Sequence, residues 1–133
     1  MSVELVNPDS LPKPVGYAHL AIGKGRPVVL AGQIGWNREG KVEAPGDLVK
    51  QFALALDNLL SALRAAGGEA TDLAQMRIFT TDVPAYRRHL RELGAEYRKR
   101  FGRHFPAMVL AGVTELFEPG TVVEIEGLAY VDD

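Results

Sequence analysis

Two apolar segments near the end of the chain, residues 105–113 and 121–130, constrain its fold most strongly. Both have the composition of β-strands, and neither shows a clear polar face. Alternation along the second segment places five side chains on one face, namely Val122, Glu124, Glu126, Leu128 and Tyr130. The first segment offers these glutamates no obvious cation, since Met108 and Leu110 share one of its faces. We therefore expect the glutamates at an edge, in an ion pair or beside a pocket, because a buried unpaired carboxylate is unfavourable.

Length, net charge and the lack of cysteine exclude several classes of protein. The 133 residues suit one domain over positions 1–133, and the net charge of −2 gives no general attraction to nucleic acid or to acidic membranes. The absence of cysteine excludes thiol catalysis and thiolate metal sites, and the three histidines lack zinc-type spacing. We expect no cofactor, no metal, no membrane association and a cytoplasmic location.

Hydrophobic periodicity and capping residues predict the element order ββ-α-β-α-ββ. Residues 1–16 contain three prolines and are expected to be an extended lead-in. Strands 17–22 and 27–34 are predicted to form a hairpin. Asp47 is predicted to cap a helix that ends near Ala66, and Asp82 a second helix that ends at Gly102, with strand 75–80 between them.

This order predicts one mixed sheet with both helices on the same face, because crossovers between parallel strands are right-handed. The strands are nevertheless apolar on both faces, as Val28 and Leu30 alternate with Val29 and Ala31. An uncovered apolar face of several strands is too large for a soluble monomer. We therefore predict an obligate homo-oligomer, with a pocket lined by Glu126 at or near the subunit contact.

Four segments, in this order and at these separations, resemble the RidA/YjgF family over nearly the whole chain. They are residues 16–21 (GYAHLA), 29–34 (VLAGQI), 105–108 (FPAM) and 123–129 (VEIEGLA). The resemblance implies an α+β, chorismate-mutase-like fold and a homotrimer with three clefts between subunits. It also implies hydrolysis of enamine or imine acids, such as 2-aminoacrylate, to 2-keto acids and ammonia without metal or organic cofactor.

The resemblance assigns catalytic roles to Glu126, as the carboxylate that orients or activates water, and to Tyr17. It assigns ligand contacts to Gly32 and Gln33, and it places Ala31 where the family has a serine. Met108 stands where deaminating members have an arginine that binds the substrate carboxylate. A thioether has neither positive charge nor hydrogen-bond donors, so it cannot replace that arginine.

Further ligand contacts are predicted at Val109, whose backbone follows Met108, and at Trp36, which either covers the core or rims the cleft. Arg103 or His104 could turn into the cleft and supply the missing charge; alternatively, these residues interact with the dipole of the preceding helix. Glu124 is a second candidate acid on the face of Glu126, with a surface cation as its alternative partner.

Four functions remain open from the sequence. The first is an imine or enamine deaminase, and the second a trimer that binds a small metabolite without turnover. The third is a purely structural or regulatory trimer, and the fourth an endoribonuclease-type translation inhibitor. The arginines of the second helix are expected to form a solvated face rather than an RNA site, because no aromatic residues of a sheet accompany them. The expected partners are therefore further copies of the chain and a small molecule.

Overall fold

The computed structural model describes residues 2–133 and contains six strands and three helices. In chain order these are β1 (Val3–Val6), β2 (Leu20–Gly23), β3 (Arg26–Gln33), α1 (Leu48–Ala65), β4 (Leu73–Thr80), α2 (Val83–Arg88), α3 (Leu90–Phe101), β5 (Ala107–Gly112) and β6 (Val123–Val131). One short helical turn, Ala70–Asp72, precedes β4.

Four strands form the main sheet in the order β3-β6-β4-β5. β6 is antiparallel to both of its neighbours, whereas β4 and β5 are parallel. The helices pack on one face of this sheet, which confirms the predicted α+β class. The main sheet is mixed, as predicted, but β1 and β2 form a separate two-stranded sheet. The register aligns Glu126, Arg77 and Val109 in one row across β6, β4 and β5.

α1 follows the local signals of the sequence closely. The Asp47 carboxylate accepts a hydrogen bond from the backbone N–H of Lys50 at 3.1 Å, and Gly67 follows the helix with φ of 83°. Its apolar stripe is buried against the sheet and includes Phe52, Leu56, Leu59, Leu60 and Leu63. Among residues 2–133, no helix has the length and apolar content needed to cross a bilayer.

The predicted hairpin of residues 17–22 and 27–34 is wrong. β2 pairs with β1, so the lead-in contains a strand, while β3 pairs with β6. Gly25, with φ of 114°, directs the chain away from β2 after Gly23. A bridge between Ala18 and Ala107 connects the residues before β2 to the outer edge of β5.

The second predicted helix is divided at His89 into α2 and α3. His89 has φ of −106° and ψ of 19°, outside the helical region. Its Nδ1 lies 2.7 Å from Oε2 of Glu92, in the first turn of α3. The break changes the direction of the chain while the Pro84 start and the Gly102 end agree with prediction.

The second face of the main sheet, which we call the open face, carries no helix. Val29 is 83% exposed there and Val109 is 47% exposed, while Phe79 and Leu128 are half-buried. The open face thus carries the expected apolar side chains beside three charged ones, Arg77, Glu124 and Glu126, and it is uncovered in a single chain.

Candidate functional site

A cavity of about 780 Å³ lies along the outer edge of β5, bounded by α2 and α3. Three residues named by the sequence line it, namely Tyr17, Met108 and Val109. Tyr17 is positioned by its neighbour, because the N–H of Ala18 donates to the carbonyl of Pro106 at 3.0 Å. Met108 pairs with buried Met76 and faces the helices, whereas Val109 faces the open side.

A second group of predicted residues lies on β3 and β6. A Cβ atom built on Gly32 would lie 2.1 Å from Oε2 of Glu124, so the carboxylate packs directly against the glycine backbone. The register of the two strands shifts between Leu30 and Gln33, at this contact. Ala31 is exposed beside it, and Nε2 of half-buried Gln33 donates to the carbonyl of Ala31 at 3.4 Å.

The two glutamates of β6 have different surroundings. Oε2 of Glu126 lies 3.1 Å from Nε of Arg77, the cross-strand neighbour on β4. Glu124 has no cationic side chain within 4 Å among residues 2–133. Burial, and then the negative charge of Glu126, raise the pKa of the Glu124 carboxyl above its ordinary value. The perturbed acid is therefore Glu124, and the sequence reasoning that stressed Glu126 did not foresee the pairing with Arg77.

The two groups occupy opposite edges of the main sheet. Three inter-strand spacings separate β3 from β5, which corresponds to roughly 14 Å. One chain therefore does not bring Gly32 and Glu124 to the cavity that holds Tyr17 and Met108.

The remaining predicted residues do not line the cavity. Trp36 bridges Val42 in a turn, and its carbonyl accepts from Nδ2 of Asn58 at 3.1 Å. Arg103 is exposed after α3 and does not line the cavity.

His104 is buried rather than free to turn into a cleft. Its Nε2 lies 2.7 Å from the carbonyl of Leu73, and its own carbonyl accepts from the Tyr97 hydroxyl at 2.6 Å. The suggestion that His104 supplies a cation to the cleft is therefore wrong, because its ring contacts the backbone of β4 and links the segment after α3 to that strand.

Three cavity residues were missed as site residues, namely Tyr86, Arg87 and Arg98. Burial raises the pKa of Tyr86 to about 12, so its hydroxyl remains protonated and available as a donor at neutral pH. The sequence predicts a solvated face for these arginines, and both are exposed while also lining the cavity. Their spacing alone does not indicate the cavity, which forms where α2 and α3 lie beside β5.

Comparison with known proteins agrees with this architecture. Residues 9–131 match the family model described as endoribonuclease L-PSP. A RutC family protein of Pyrococcus horikoshii is 31% identical over 127 residues, covering 96% of this chain and 97% of that protein. A 2-iminobutanoate/2-iminopropanoate deaminase of Dermatophagoides farinae is 29% identical and covers 91% of each chain.

The crystal structure of YyfB from Yersinia pestis, a conserved Rid family protein of unknown function, has a TM-score of 0.87 with 30% identity. The match covers 98% of this chain and 100% of that one. A putative endoribonuclease of Thermotoga maritima has a TM-score of 0.70 with 26% identity, and covers 98% of each chain. These matches confirm the resemblance found in the sequence: the chain belongs to the RidA/YjgF family.

Proposed function

We propose that the protein hydrolyses a small imine or enamine acid in clefts formed between copies of the chain, with Glu124 as the proton-transfer group. The observation that carries the proposal is the state of Glu124: a carboxylate without a cationic partner, seated on the Gly32 backbone, with a raised pKa. Carboxyl groups with raised pKa values are suited to exchange protons near neutral pH. Relatives named imine deaminases support this class of reaction.

The reaction needs only water and one proton-transfer group. The ionised Glu124 accepts a proton from a water molecule as its oxygen forms a bond to the imine carbon. The same proton, delivered to nitrogen, completes a carbinolamine, in which the carbon carries one hydroxyl and one amino group. Glu124 then accepts the hydroxyl proton as the carbonyl forms and passes it to the nitrogen as the carbon–nitrogen bond breaks, so that ammonia and a carbonyl compound leave. An enamine enters this sequence after its carbon is protonated to give the imine. Arg77 holds Glu126 in place and thereby keeps a negative charge near Glu124, which favours the protonated form of Glu124.

Association of copies is part of the proposal. The open face exposes Val29, and Phe117 in the β5–β6 loop is 94% exposed. Packing of neighbouring copies on this face would cover these residues and could bring the Glu124 edge of one chain to the Tyr17 edge of another. We propose a homotrimer, for which light scattering would report three times the 14.5 kDa of one chain. A stable single-chain species at micromolar concentration would rule out the shared cleft.

Ammonia release from imines tests the chemistry. Amino acid oxidase or a dehydratase supplies the imine in situ, and the rate is compared with that of buffer. We expect Glu124→Gln to lower the rate by about 100-fold or more, the usual contribution of a general acid–base group. Glu126→Gln is the matched comparison, since it removes a neighbouring charge but leaves the Glu124 carboxyl in place, and should lower the rate far less than Glu124→Gln. Equal activity of Glu124→Gln and the parent protein would refute the role of Glu124.

A further inference from the structure

The cavity beside β5 combines apolar walls with two cationic side chains. Leu90 and Phe105 contribute to the walls, and Arg87 and Arg98 belong to the lining. A volume of about 780 Å³ falls within the range of roughly 300–1,000 Å³ that is typical of small-molecule sites. Such sites usually pair apolar walls with a few polar groups that orient the ligand.

The guanidinium of Arg98 is held beside the cavity by a small residue. A Cβ atom built on Gly94, one helical turn earlier, would lie 3.0 Å from Nη1 of Arg98 and 3.8 Å from its Cζ. The absence of a side chain at Gly94 thus lets the guanidinium lie across the helix backbone. A larger residue there would push the cation away from this position.

Neither cavity arginine has an acidic partner. No carboxylate lies within 4 Å of Arg87 or Arg98 among residues 2–133, whereas the next two basic residues of α3 are both paired. Lys99 contacts Glu96, and Arg100 contacts Asp57 and Glu96. Arg98 therefore has no carboxylate that would compete with a bound anion.

We propose that Arg98, assisted by Arg87, binds the carboxylate of an acid whose apolar side chain fills the cavity against Leu90, Phe105 and Met108. The positive charge comes from the helices, and the thioether of Met108 contributes apolar surface on the strand side. The occupant is a monocarboxylate with a branched or aromatic side chain. A three-carbon acid would fill only about 100–200 Å³ at liquid density and leave most of the apolar wall uncovered.

This inference depends on the proposed function in one respect only, namely that the bound acid is taken to be the substrate. Binding of an unreactive acid tests it separately from turnover. Titration calorimetry at pH 7 and low salt would compare 3-phenylpropanoate with its neutral amide, 3-phenylpropanamide, and with propanoate. We expect 3-phenylpropanoate to bind at least tenfold more tightly than either of the other two.

Two variants test whether Arg98 supplies the positive charge that binds the carboxylate. Arg98→Gln keeps an unbranched polar side chain of similar helix propensity but removes its charge, and should reduce the acid-to-amide preference about tenfold while leaving amide affinity unchanged. Arg91→Gln is the matched control, because Arg91 is an exposed arginine of α3 that lies outside the cavity lining. It should retain the full preference.

Three results would overturn the proposal. The first is equal affinity of the parent protein for 3-phenylpropanoate and its amide, and the second is equal affinity for propanoate and 3-phenylpropanoate. The third is an acid-to-amide preference that is unchanged in both Arg98→Gln and the Arg87→Gln/Arg98→Gln double variant. Melting temperatures equal to that of the parent would show that the variants are folded. Glu124→Gln should bind 3-phenylpropanoate as the parent does, so a loss of turnover with retained binding would count against the proposed reaction alone.

Discussion

Replacing Gln51 with methionine should destabilise the protein by about 3–5 kcal/mol, because three backbone groups lose their hydrogen-bond partner. Gln51 lies on α1 and is fully buried. Its Nε2 donates to the carbonyls of Ala44 at 3.0 Å and Gly120 at 2.8 Å, and its Oε1 accepts from the N–H of Val122 at 2.9 Å. Methionine matches the length of glutamine and can accept or donate none of these bonds.

The magnitude follows from those three bonds. A buried backbone group that loses its partner is destabilised by about 1–3 kcal/mol. The Gly120 residue is exposed, so water can replace part of its lost bond, whereas Ala44 and Val122 are half-buried. We therefore take the lower part of the range for three groups.

Urea denaturation followed by circular dichroism would measure the change, at one fixed protein concentration because association alters apparent stability. Lys50→Met is the control, since Lys50 is the exposed neighbour of Gln51 on α1, and should change the unfolding free energy by less than about 0.5 kcal/mol. A Gln51→Met protein within 1 kcal/mol of the parent would mean that the loops at residues 44 and 120 find other partners, and the argument from buried hydrogen bonds would fail.

Two further predictions concern Glu124. Because its folded-state pKa is raised, the folded protein retains a proton that the unfolded chain loses, and stability decreases as pH rises from about 4.3, the ordinary glutamate pKa, through the raised value. In thermal melts, Glu124→Gln should be more stable than the parent at pH 7 and should lose that advantage near pH 4. An advantage that does not depend on pH would contradict the link between the Glu124 proton and folding. Gly32→Ala should displace the Glu124 carboxylate, since the new Cβ would lie 2.1 Å from its Oε2, and should lower ammonia release far more than Ala31→Gly. Equal rates for both variants would show that the Gly32 contact is dispensable.

The sequence predicted the parts of the fold that depend on local signals. The caps at Asp47 and Asp82 and the stops at Gly67 and Gly102 act within one helical turn, so both helical regions were found. β1 was missed because it has four residues and lies close to three prolines, a context that favours an extended loop. The pairing of β3 with β6 joins segments about a hundred residues apart, and no local pattern encodes it.

The candidate site was harder to predict for a related reason. The alternation of residues 121–130 correctly placed Glu124 and Glu126 on one face. Which of them carries an ion pair depends on the register of β4, which sets Arg77 opposite Glu126. The separation of Gly32 from Met108 follows from strand order, and the position of Arg98 depends on how α3 packs beside β5. These features depend on the tertiary structure, and the spacing of residues along the chain does not predict them.

The position of β6 between β3 and β4 has a consequence for how the protein is made. When a ribosome has produced the chain as far as β5, the strand that joins β3 to the rest of the sheet does not yet exist. Until residue 131 leaves the exit tunnel, β3 is a single strand and β4 and β5 form a separate pair, each with exposed apolar surface. Folding of the nascent chain should be a late event, and shielding by a chaperone during translation would matter most for the unpaired edge of β3.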